Sequence, residues 1–96
     1  MNEKFVAICE IIRSNAVRGL DQHRAYPSIE DAFDNYYENV TDSIDEIPGL
    51  MDYYNNTFHR AALPMFIAHF AREADRQGVK VPDKLLGIEY QREDRW

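Results

Sequence analysis

Ninety-six residues, 45% of them hydrophobic and 29% charged, have the size and balance of one globular domain. Seventeen acidic residues against eleven basic ones leave a formal net charge of −6, a sign that argues against direct binding to nucleic-acid phosphates. A lone cysteine, Cys9, excludes an internal disulfide framework and a multi-cysteine metal site. The longest apolar run, Ala61 to Ala68, contains Pro64 and is too short to span a bilayer. Met1-Asn2-Glu3-Lys4 has no basic region leading into an apolar stretch, as a secretory signal would. A soluble cytoplasmic protein that does not engage membranes is expected.

The first segment, Asn2 to Leu20, places Phe5, Ile8, Cys9, Ile12, Ala16 and Leu20 at steps of three and four, one face of an amphipathic helix. Gly19 and the polar run Asp21-Gln22-His23-Arg24 mark its expected end. Ile11 and Val17 fall off the stripe and are expected to touch another element or to form an exposed apolar contact. Ser28 opens a second helix, with Ser-Ile-Glu-Asp resembling a capping box in which Asp31 replaces the usual Glu or Gln. Its apolar line is Ile29, Phe33, Tyr36, Tyr37, Val40 and Ile44, and Ile47-Pro48-Gly49 stops it.

Leu50, Met51, Tyr53 and Tyr54 make a short amphipathic piece. Asn55-Asn56-Thr57 reads as a break, with Thr57 capping the next helix. That helix carries Phe58, Ala61, Ala62, Met65, Phe66, His69 and Phe70 on its main face, widened by Leu63, Ile67 and Ala74 as a central helix requires. Pro64 is a kink or belongs to the first turn. Gly78 fits the C-terminal cap, and Asp83 to Leu86 forms a further turn before Gly87. No stretch alternates with period two. The expected fold is all-α, a single-domain helical bundle of three long helices plus one or two short ones over residues 1–87, followed by a charged tail, 88–96, that holds Tyr90 and Trp96.

The second helix carries the strongest functional signal. Between Arg24 and Arg60 there is no Lys or Arg, while Glu30, Asp31, Asp34, Glu38, Asp42, Asp45, Glu46 and Asp52 fall in the same stretch. Glu30, Asp34, Glu38, Asp42 and Glu46 recur every four residues and drift slowly round one side of the helix, with Asp31 and Asp45 in the same arc. A purely solvated face usually mixes signs, because opposite charges four apart gain about 0.2–0.5 kcal/mol and like charges cost about as much. Four like-charge steps therefore cost on the order of 1–2 kcal/mol before screening, and such a cost points to a use. The tyrosines come in adjacent pairs, Tyr36-Tyr37 and Tyr53-Tyr54, in each of which one ring can enter the core while the other sits at its boundary. Tyr37 is the expected boundary residue beside the acids.

In size, charge and architecture the chain is similar to the small acidic helical proteins common among phage anti-defence inhibitors, including many anti-CRISPR proteins, and among immunity-type inhibitors of nucleases. That likeness implies a row of carboxylates occupying the basic groove of a nucleic-acid-binding protein. Glu30, Asp31, Asp34, Tyr37, Glu38, Asp42, Asp45 and Glu46 are the expected partner-binding residues. The expected partner is a basic protein, in a nucleic-acid-binding complex, and the chain itself is a monomer or homodimer. A rival reading is a helical oligomer with contacts through Ile11, Val17, Tyr90 or Trp96; an antitoxin would share the acidic logic.

Catalytic constellations are thin. Arg18-Gly19-Leu20-Asp21-Gln22-His23 resembles the short Arg-to-His motif of HEPN-type ribonucleases, which are all-α and cleave RNA without a metal. Here, however, glycine follows the arginine where that family favours a polar residue, and the net acidity opposes an RNA substrate. His69 and Glu73 stand four apart, as metal ligands can, yet one pair is no site, and a core histidine with one satisfied hydrogen bond is the preferred reading. Cys9 reads as a small buried hydrophobe with no activating histidine. No catalytic residue, metal or cofactor is expected.

Overall fold

The computed structural model describes residues 2–58 and 62–86, and every regular element among them is helical. His59, Ala61, Tyr90, Trp96 and the expected tail 88–96 lie outside the described residues. Helix α1 spans Glu3–Asp21, α2 Ile29–Asp45, α3 Leu50–Thr57, α4 Ala62–Gln77 and α5 Asp83–Leu86. A 3-10 turn, His23–Ala25, follows α1. None of the described helices is long and apolar enough to cross a membrane.

Each boundary has a local cause. The Asn2 side chain accepts from the backbone N–H groups of Lys4 and Phe5 and so starts α1. Ser28 Oγ accepts from Asp31 N at 3.2 Å, which starts α2. The reciprocal half of a capping box is replaced: the Asp31 carboxylate takes the Ser28 hydroxyl at 3.1 Å. Gly49, at φ 79°, supplies the left-handed residue that turns the chain from α2 into α3. Gly78, at φ 73°, closes α4 with paired bonds from its own N–H to Asp75 O and from Val79 N to Ala74 O. Pro64 falls in the first turn of α4, where its missing N–H has no helical partner to lose.

Helix α1 packs against both α2 and α4, and α3 packs on α2. The buried stripe of α1 is Ile8, Ile12, Ala16 and Leu20, as its periodicity indicates. Between α2 and α4 lies an aromatic layer. Phe33 meets Phe70 edge-on and Tyr36 stacks on Phe70, both at 5.3 Å, while within α3 and its C-cap Tyr54 stacks on Phe58 at 5.8 Å. Tyr36 is 1% exposed, and its hydroxyl donates to Phe66 O at 2.9 Å, which meets the polar requirement of a buried phenol.

Some local expectations are met and others are overturned. Helix α1 stops at Asp21, within the polar run expected to end it, and Gly19 lies inside its last turn against α2, where a Cβ would lie 3.3 Å from Tyr36 Cβ. Asn55-Asn56-Thr57 is not a break, because α3 continues to Thr57 and Phe58 is its buried C-cap. Thr57 therefore caps no following helix, and Phe58 belongs to α3 rather than to the face of α4. Cys9 is half-buried rather than buried, and burial together with the adjacent Glu10 raises its thiol pKa. Asn15 is a buried polar residue, 8% exposed, and gives its amide to Ile11 O. Ile11 is half-buried and packs against the core, the first of the two placements expected for it.

Candidate partner-binding face

Helix α2 buries Ala32, Phe33, Tyr36, Val40 and Ile44. At about 100° per residue these occupy an arc of about 120°. The six carboxylates of the helix, Glu30, Asp31, Asp34, Glu38, Asp42 and Asp45, fill a second arc of about 120° centred nearly opposite. Asp31, Asp34, Glu38, Asp42 and Asp45 are exposed, and Glu30 is half-buried near the start of the helix. Glu46 is not a helical member of the row: it is the C-cap residue, exposed, with its N–H bonded to Asp42 O and Ile44 O. Among the described residues, Glu38, Asp42 and Asp45 have no ion-pair partner. The ion pairs Arg13–Glu10 and Arg76–Glu73 lie on α1 and α4.

Both edges of the acidic arc are built. On one side Tyr37 is half-buried, its ring 5.0 Å from that of Phe66, so it stands where the core gives way to the acids. On the other side Asn39 donates to Asn35 Oδ1 at 3.0 Å, and Tyr26 donates to the same oxygen at 2.8 Å. The Tyr26 bond ties the loop before α2 to the flank of the helix. Tyr36 and Tyr54 are buried while Tyr37 and Tyr53 are half-buried, so each adjacent pair divides between core and boundary.

The dipole of α2 is served unequally. Glu30 and Asp31 lie in its first turn, where negative charge is favourable; Asp42 and Asp45 approach its C-terminal end, where no basic residue offsets them. The acidic row is thus carried at a local electrostatic cost, concentrated at one end.

Elsewhere the candidate chemistry is sparse. Arg18 is exposed in the last turn of α1, while the His23 ring lies in the 3-10 turn with Nδ1 2.7 Å from Leu20 O. His69 is half-buried rather than a core residue, and makes no hydrogen bond among the described residues. Burial, first, and then the positive Arg72 and Arg13 beside it hold its imidazole below the usual pKa. Glu73, instead of facing a metal, is held by Arg76 and by Gln77 at 2.8 Å, and these bonds lower its pKa. No group of three or more His, Cys, Asp or Glu side chains converges as a metal site among the described residues. No protein-family model, characterised protein or solved structure matches the chain. The feature that the sequence reading missed is a groove of about 360 Å³ between α1 and α4, lined in part by Arg13, His69 and Arg72. Its residues are distant in sequence, and no local pattern brings them together. Val17, offered as an oligomer contact, lines this groove.

Proposed function

We propose that a scaffold of three long helices plus one or two short ones presents α2 as the docking face of a non-catalytic cytoplasmic protein. That face occludes the basic surface of a nucleic-acid-binding protein, in the manner of phage anti-defence inhibitors such as anti-CRISPR proteins. The observation that carries this reading is the exposed arc of carboxylates on α2, free of any Lys or Arg on that helix. From Glu30 to Asp45 the helix rises about 22 Å, which places one carboxylate per roughly 4 Å of axis. A single strand of B-form DNA carries one phosphate per about 3.4 Å of axis. The linear charge density of the helix therefore approaches that of one nucleic-acid strand.

The mechanism is substitution. Lys and Arg side chains that hold phosphates pair with Asp31, Asp34, Glu38, Asp42 and Asp45, and Glu30 and Glu46 extend the row at its ends. Tyr37 supplies an amphipathic ring at the boundary, a residue type enriched in interfaces. Because the acids sit on a helix fixed by a buried aromatic face, little ordering is left to be done on binding. Association is steered by the opposite charge of the partner and weakens with salt.

The test is a tagged capture from bacterial lysate at low and high salt. The expected result is a basic nucleic-acid-binding complex retained at low salt and released by added DNA or RNA. The variant carrying Glu30→Lys, Asp34→Lys, Glu38→Lys and Asp42→Lys should lose that partner while keeping its helical circular dichroism. A partner held equally by this variant, or equally at high salt, would show that α2 is not the interface.

A further inference from the structure

The α1–α4 groove is walled by Arg13 from α1 and by Arg72 and Arg76 from α4, with Ala16 and Val17 as its apolar floor and no residue from α2. Its volume of about 360 Å³ is within the range of small-molecule sites. The charges in it are not mutually cancelled. Glu73, the one carboxylate of the lining, is committed to Arg76 and Gln77. Arg13 reaches Glu10 at 2.8 Å in a pair whose side chains are 59% and 62% exposed, a kind of contact readily exchanged for a better one. Arg72 has no ion-pair partner among the described residues.

We infer that this groove binds a phosphate monoester, with the phosphoryl group held by the guanidinium groups of Arg72 and Arg13 and the organic body resting on Ala16 and Val17. Two guanidinium charges remain available, which matches a phosphoryl group of about −1.5 to −2 and exceeds a single carboxylate. The planar fork of arginine suits two phosphoryl oxygens at once. The apolar floor favours an ester over free phosphate. The net negative charge of the chain is no obstacle, because the carboxylates of α2 lie on a helix that does not line the groove, and at physiological salt their field is screened beyond about 8 Å. His69 reports the local field: it faces Arg72, Glu73 and Arg76 of its own helix and Arg13 of α1, and the two unpaired or exchangeable arginines oppose its protonation.

Phenyl phosphate is the probe, titrated into the full chain and followed by heteronuclear NMR, with inorganic phosphate and sodium chloride at matched ionic strength for comparison. Saturable shifts at Arg13, Val17, His69 and Arg72 are expected, with tighter binding of phenyl phosphate than of inorganic phosphate. The His69 titration midpoint should rise on saturation, because the dianion offsets Arg72 and Arg13. Arg72→Gln should weaken binding at least about tenfold, Arg72→Lys should fall between, and Asp42→Lys should leave it unchanged, which separates this site from the acidic face. Both Arg72 variants alter an exposed side chain, and circular dichroism confirms their fold. Shifts that stay linear and are reproduced by sodium chloride would overturn the inference. So would equal affinity for phenyl phosphate and inorganic phosphate, or unchanged affinity in Arg72→Gln.

Discussion

Asp42→Lys should stabilise the fold while removing a central member of the proposed interface. Asp42 is exposed near the C-terminal end of α2, four residues after Glu38 and four before Glu46, and no basic side chain lies in the last turn. Lysine converts repulsion from Glu38 into an i,i+4 attraction in the favourable Glu-to-Lys order, a swing of about 0.4–1 kcal/mol; the interaction with Glu46 adds less, since Glu46 is the C-cap. Exchanging an anion for a cation near the negative end of the dipole adds about 0.3–1 kcal/mol more. Lysine also has the higher helix propensity. A gain of about 1–2 kcal/mol is therefore expected at low ionic strength. Urea denaturation followed by circular dichroism reads it as a higher midpoint with an unchanged slope. At 1 M salt, where the Debye length is about 3 Å, most of the gain should vanish. A midpoint that is unchanged or lower at low salt would refute the argument that the acidic row is carried at a stability cost.

Four further outcomes follow from the core and the groove. Gly19→Ala should lower stability despite the roughly 1 kcal/mol advantage of alanine in a helix, because the new Cβ meets Tyr36 Cβ at 3.3 Å and Tyr36 is pinned by Phe66 and Phe70; a raised melting temperature would show that α1 can retreat. Tyr36→Phe removes the buried bond to Phe66 O and should cost about 1 kcal/mol in urea denaturation, and a neutral result would mean that the bond adds nothing net. His69 has a folded-state pKa below its ordinary value of 6.5, so the unfolded chain binds the extra proton more readily and stability should fall as pH drops below about 6.5 through the folded midpoint. Arg72→Gln should move the His69 midpoint upward in an NMR titration, and a downward shift would contradict the assigned cause.

The parts of the fold that were legible are those in which one helix carries its own instructions. The two faces of α2 separate cleanly in the sequence, Ser28 caps it through its own hydroxyl, and Ile47-Pro48-Gly49 leads out of it. Asn55-Asn56-Thr57 was misread because weak helix formers resemble a break, whereas Tyr54 and Phe58, buried on either side of it, hold those residues in α3. The end of α1 at Asp21 was legible from its polar run, but the packing role of Gly19 was not, because its partner, Tyr36, comes from the next helix. The arginine groove depends on the same kind of information, since Arg13 and Arg72 meet only after α1 and α4 have packed.

The distribution of charge, more than its total, bears on what α2 is for. Helix α1 carries three acidic and three basic residues, and α4 carries two of each. Helix α2 carries six acids and no base, which equals the net charge of the entire chain. A charge excess that served only solubility would act through its magnitude, and its position would be immaterial. An interface acts through position. Asp42→Lys and Glu3→Lys change the net charge by the same amount, one on the acidic face and one on the exposed first turn of α1. Stopped-flow association with the captured partner at low salt should slow markedly for Asp42→Lys and little for Glu3→Lys, because steering depends on the field at the docking face. Equal slowing by the two variants would reduce the acidic helix to a contribution to overall charge, and binding would then have to be sought on another surface.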